Sequence, residues 1–164
     1  MNCPNCNKTI NEHEAGPCLD LWIIEDVLKW EKKVESYTGD LLPEGSYFIL
    51  WIPQDDHPCI TGVSQAFDKD GNNLRANKRN PLGVWDESPS YNYSLQFSTN
   101  ISATWELLER VEKNLGIFKI MRYAYEGRSN YWGFEVHHKV MAQAETAELA
   151  ICRAMLKVFS ENEP

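Results

Sequence analysis

The apolar residues of this chain recur with two periods, and the order in which the periods alternate limits the fold more than any other feature. From Pro17 the segment PCLDLWIIEDVLKWEKK sets Leu19, Trp22, Ile23, Val27 and Trp30 three and four residues apart. That spacing lines one face of a helix, predicted over 17–34, with Pro17 suited to a first turn that needs no N–H. In FSTNISATWELLERVEKNLG, Ile101, Trp105, Leu108, Val111 and Leu115 make a second stripe. Thr99 or Asn100 can cap that helix and Gly116 can close it, over 100–115. A third stripe, Ala147, Ala150, Ile151, Ala154, Met155 and Val158, predicts a helix over 146–160 after Thr146. Trp22, Trp105 and Ile151 are expected in the core.

Between these helices the period falls to that of strands. SYFILWI at 46–52, ITGVSQAF at 60–67 and YNYSLQF at 91–97 read as strands, being short, apolar and aromatic runs bounded by turn formers. Asp70-Gly71 is a tight-turn signal. IFKIMRYAY and NYWGFEVHH flank Glu126-Gly127 as a hairpin. The order helix, strands, helix, hairpin, helix predicts the α+β class, with one mainly antiparallel sheet covered by helices. Residues 1–16 read as a short Cys-containing segment and 17–164 as a single domain.

A chain of 164 residues, 43% hydrophobic and 24% charged, can bury a core without staples. A formal net charge of −8 argues against duplex nucleic acid, which is bound by neutralising phosphates. No stretch approaches a membrane span, and the N-terminus does not read as a signal peptide. The expectation is a protein of the cytoplasm. Its five cysteines then read as reduced thiols or metal ligands.

Those cysteines concentrate at the start, MNCPNCNKTINEHEAGPC. Cys3 and Cys6 have the C-x-x-C spacing that aims two thiolates at one ion. His13 and Cys18 complete a Cys-Cys-His-Cys set, with Cys59 and His57 as substitutes for Cys18 and His13. Two readings stay open: a closed structural zinc site, or unligated thiols at a frayed terminus.

The segments AGPCLDLWIIEDVLKW, FSTNISATWELLERVEK and AETAELAICRAMLK together resemble the phage ABA sandwich domain family. The resemblance rests on Gly16 to Asp20, on Ser98 to Ile101 with Trp105, and on Ala150 to Ala154, and covers about residues 15–34 and 91–159. It implies a helix–sheet–helix (α/β/α) sandwich, a phage or prophage origin and a bacterial host, with no settled activity. Asn100 stands where an Asp is frequent in the family, and either residue caps a helix.

Outside the family motifs, NLRANKRN puts Arg75, Lys78 and Arg79 in one loop of an acidic chain, with Trp85 and Tyr91 downstream. Such a loop can grip an anion and stack on a ring, or be solvated surface with two anchoring aromatics. FDKDGNN mimics a calcium loop but lacks its glycine and its final glutamate, so a turn is the better reading. His137-His138 reads as strand, with the rings on opposite faces. No nucleophile elbow, phosphate loop or zinc-protease motif occurs. Cys152 reads as a packing residue inside its helix stripe.

Three functions follow as expectations. The first is a non-enzymatic accessory protein that binds a small anionic, nucleotide-like ligand or a host protein to blunt host defence. The second is a nucleotide-acting hydrolase using Asp55, Asp56, Glu135 and His57 as acid–base groups. The third is a zinc-supported structural or assembly protein. The oligomeric state is open, a homo-oligomer included.

Overall fold

Helix α1, Pro17–Asp26, begins on Gly16, whose backbone at φ 140° is a conformation that side-chain-bearing residues avoid. In the computed structural model, residues 1–54, 62–78, 80–86, 96–124 and 131–161 are described. Leu19, Asp20, Leu21, Trp22, Ile23 and Ile24 are all buried, so α1 is apolar nearly all round and behaves as a core helix. It is shorter than its predicted 17–34. Lys29 turns the chain at φ 51°, and EKKVES then pairs as strand β1, Glu31–Ser36.

The other elements are β2 Tyr47–Ile52, β3 Val63–Phe67, β4 Trp85–Asp86, α2 Ile101–Leu115, β5 Phe118–Tyr123, β6 Tyr131–Val136, β7 Lys139–Ala144 and α3 Ala147–Glu161. The class is α+β, and the described strands pair antiparallel throughout. They form two sheets, ordered β1-β2-β3-β4 and β5-β6-β7, where one had been expected. No described helix is long and apolar enough to cross a membrane.

Two compact units result: Met1–Leu28 with Gln96–Pro164, and Lys29–Leu95. In the first, α3 packs on β6 and β7, while α1 and α2 pack on α3. Ala147, Ala150, Ile151, Ala154, Met155 and Val158 of α3 are buried, as the stripe predicts, and Leu149, Cys152 and Leu156 beside them are buried too. In the second, β1 is exposed along its length and pairs Glu31 opposite Ile52 through to Ser36 opposite Tyr47. Charged residues suit an edge strand because they discourage further pairing. Asp68 accepts from the backbone of Asp70 and Asn72, so FDKDGNN is a side-chain-braced turn. The strand expected at 91–97 lies mostly outside the described residues, as does the turn at Glu126-Gly127.

Asn100 caps α2 by accepting from Ser102 N–H at 2.9 Å, and Gly116 closes it at φ 65°. The expectation that Trp105 is core is corrected: it is 47% exposed. Thr104, Leu107, Leu108, Val111 and Leu115 form the buried face of α2. At about 100° per residue, Trp105 projects roughly a quarter-turn from the middle of that face. Trp105→Ala should therefore change stability by less than about 1 kcal/mol in denaturant titration, against the ~3–5 kcal/mol of a buried tryptophan; a loss in the larger range would place the ring in a core.

His137-His138 is also corrected. Both residues have positive φ, 49° and 65°, and form the two-residue turn joining β6 to β7. That handedness matches the twist of a tight hairpin. The turn was hidden because Asn or Gly usually marks it. The strand KVMAQA, β7, went unrecognised with it.

Candidate metal centre

Residues 2–9 fold back on themselves. Asn2 bridges Thr9, Cys3 N–H donates to the Lys8 carbonyl at 2.9 Å, and Asn7 N–H donates to the Cys3 carbonyl at 2.8 Å. The turn needs a left-handed residue after Cys6. Asn7 supplies it at φ 62°, a conformation asparagine tolerates better than most residues. Thr9 then opens a single turn whose carbonyl accepts from Glu12 and His13. This returns His13 to the thiols, and Cys18 joins them from the first turn of α1.

The ligand atoms of Cys3, Cys6, His13 and Cys18 all lie within 4.8 Å of one another. Cys3 Sγ stands 3.6 Å from Cys18 Sγ, and Cys6 Sγ stands 3.4 Å from His13 Nε2. A tetrahedral zinc ion with Zn–S bonds of about 2.3 Å would hold its sulfurs roughly 3.8 Å apart. His13 Nδ1 lies 2.9 Å from the Glu14 carbonyl. Donation there puts the proton on Nδ1 and leaves the Nε2 lone pair facing the thiols. Metal-bound histidines are oriented in this way.

The electrostatics of the set also favour a cation. Burial pushes the Cys3 thiol up. Burial, then the neighbouring thiols of Cys6 and Cys3, pushes Cys18 well above the ordinary range. For Cys6 desolvation is the largest single effect and raises it, but the Lys8 backbone N–H, the Cys18 and Cys3 thiols and the Lys8 charge together bring it below that range. Three thiolates so close together require a positive ion, whose binding would release their protons. The set fits structural zinc.

The structure brings together the four residues that the sequence singles out, and it adds what holds them. Arg153 of α3 donates to the His13 carbonyl from Nε at 3.1 Å and from Nη2 at 2.6 Å. His13 is 3% exposed, and its ring tilts against Trp22 with centroids 5.9 Å apart. Beside the centre, Gly16 N–H donates to Ser98 Oγ and Ser98 N–H to Asp20 Oδ1, both at 2.8 Å. Asp20 is fully buried, its Oδ2 has no hydrogen-bond partner among the described residues, and burial raises its carboxyl to about 6 against the lowering effect of Ser98. Cys152, also buried, is pushed up first by desolvation and then by Asp20.

Gly16 to Asp20, Ser98 to Ile101 and Ala150 to Ala154 thus meet in one place, as a latch between α1, the start of α2 and α3. The family model of the phage ABA sandwich domain matches residues 74–156, about half of the chain. The chain belongs to the phage ABA sandwich domain family. No curated protein matches it, and no solved structure does. All four metal-centre residues precede the span matched by the phage ABA sandwich model.

The remaining candidates stand elsewhere. Arg75 Nη1 donates to the buried Ser64 hydroxyl at 3.0 Å, and its guanidinium lies 5.3 Å from the ring centroids of both Phe48 and Trp85. The structure thus brings Arg75 and Trp85 together. Lys78 is exposed. Arg79, Tyr91, Asp55, Asp56, His57 and Cys59 lie outside the described residues. Glu135 sits on β6 opposite Lys119, and among the described residues no second cluster of His, Cys, Asp and Glu accompanies it.

Proposed function

We propose that this phage-encoded chain is a zinc-supported structural or assembly protein, in which Cys3, Cys6, His13 and Cys18 hold one ion. The observation carrying the reading is the convergence of four soft donors within 4.8 Å, with His13 oriented from its far nitrogen by Glu14. Four protein ligands close a tetrahedral site and leave no position for substrate, so the ion's work is to fasten the N-terminal segment to α1 and, through Arg153, to α3. The reading places the protein in the bacterial cytoplasm, where thiols stay reduced.

Binding of a small anionic, nucleotide-like ligand at Arg75, Lys78, Arg79, Trp85 and Tyr91, in the service of host-defence antagonism, has less support. The Arg75 guanidinium is already engaged by Ser64 and two rings.

Metal analysis of protein purified without chelator should find about one zinc per chain, and none in a Cys3→Ser, Cys6→Ser variant. Metal-free protein whose Cys3 and Cys6 react freely with a thiol reagent would refute the zinc reading.

A further inference from the structure

The four residues of the metal centre differ in how far solvent reaches them. Cys3 and His13 are 2% and 3% exposed. Cys18 is half-buried in the first turn of α1. Of the four, Cys6 alone is exposed, on the turn that the Asn7 N–H closes onto the Cys3 carbonyl. A cysteine is oxidised where an oxidant can reach its sulfur, so access selects Cys6. Cys152, by contrast, is fully buried within α3.

Access alone does not make a disulfide. The oxidised sulfur needs a second one within reach, ready to displace its oxygen. Cys6 Sγ lies within 4.8 Å of both Cys3 Sγ and Cys18 Sγ, and a disulfide brings two sulfurs to about 2.05 Å. Cys3 is tied into the backbone of its turn at both its N–H and its carbonyl, and Cys18 is fixed in α1. The exposed Cys6 side chain is the one with room to change rotamer and close the remaining gap.

We infer that Cys6 is an oxidation site, at which hydrogen peroxide closes a disulfide to Cys3 or Cys18 and so opens the metal centre. The Cys6 thiolate attacks one peroxide oxygen. The S–O bond forms, the O–O bond breaks, and the departing hydroxide takes a proton and leaves as water. The second thiolate then attacks Cys6 Sγ. The S–S bond forms, the S–O bond breaks, and a second hydroxide leaves as water. Two electrons pass from the two sulfurs to the peroxide, and a thiol reductant reverses the change. His13 and one cysteine remain as donors, too few for a closed tetrahedral site. The release of metal rests on the zinc reading; the sulfur chemistry does not.

The test uses the full chain, purified without chelator and with its thiols reduced, after its zinc content is measured. Hydrogen peroxide is added in small excess beside a colorimetric zinc indicator. At intervals the surviving thiols are capped with iodoacetamide in denaturant, and the chain is mapped by peptide mass spectrometry. The first disulfide should join Cys6 to Cys3 or Cys18 within one chain, with about one zinc released for each disulfide closed. Cys152 should stay a free thiol. Dithiothreitol with added zinc should restore the starting state. A first disulfide without Cys6, one between two chains, or Cys6 still reduced after treatment overturns the inference. These measurements are made on the parent chain, so no variant has to fold. If the sample carries zinc and Cys6 stays reduced, the oxidation site fails and the zinc reading stands. If it carries none and the Cys6 disulfide still closes, the zinc reading fails and the oxidation site stands. Zinc kept after that disulfide has closed overturns the link between the two.

Discussion

A Cys3→Ser, Cys18→Ser variant should unfold about 10 °C or more below the zinc-loaded parent, a loss of more than about 4 kcal/mol, as removal of a structural metal produces. These two sulfurs are 3.6 Å apart, and serine oxygens at the same positions are poor zinc ligands. The loss should come from the ion. Without it burial keeps both thiols up and protonated, so they pack as small neutral groups that serine replaces at modest cost. Parent and variant should therefore melt close together in a strong chelator and far apart in zinc. Trp22 offers a second readout, because its ring rests against His13 and its emission should move when the chelator is added. Equal melting temperatures in excess zinc would show that the ion does not support the fold.

The second large effect concerns Asp20 and has a defined direction. Its carboxyl is raised from 3.8 to about 6 by burial, which outweighs the lowering by Ser98. Between those values the folded chain holds a proton that the unfolded chain has released. The carboxyl's contribution is full below pH 3.8 and is lost as the pH rises through about 6. At 1.36 kcal/mol per unit the loss amounts to about 3 kcal/mol. Asp20→Asn keeps an acceptor for Ser98 N–H and removes the ionisation. The stability of Asp20→Asn minus that of the parent should rise by about 3 kcal/mol from pH 3 to pH 7, then level off. Zinc release in acid acts on both proteins and cancels in the difference. Urea titrations across that range with parallel curves would show that the carboxyl titrates normally.

The latch around Asp20 shows where sequence reasoning stopped. Gly16 to Asp20, Ser98 to Ile101 and Ala150 to Ala154 are visible as family motifs, but nothing along the chain says that Ser98 bonds both Gly16 and Asp20. Arg153 lies off the α3 stripe, and nothing near it in sequence names its partner. Its role on the His13 carbonyl spans 140 positions of sequence.

The sequence by itself determined what depends on neighbours along the chain. The stripe of α3, the Asn100 cap, the Gly116 stop and the C-x-x-C turn are set by side chains within a few residues of each other, so period and spacing reveal them. Tertiary structure decided what depends on the other side of a contact. Residues 31–36 carry strong helix formers, yet pairing of Glu31 to Ser36 with β2 makes them a strand. Trp105 and Thr104 differ by one position, and only the placement of the buried face of α2 shows which of them is core. The return of β7 along β6 draws His137 and His138 into a left-handed turn that neither residue would adopt alone. In each case the energy of long-range pairing or burial exceeds a local preference of about 1 kcal/mol or less per residue, and so overrides it.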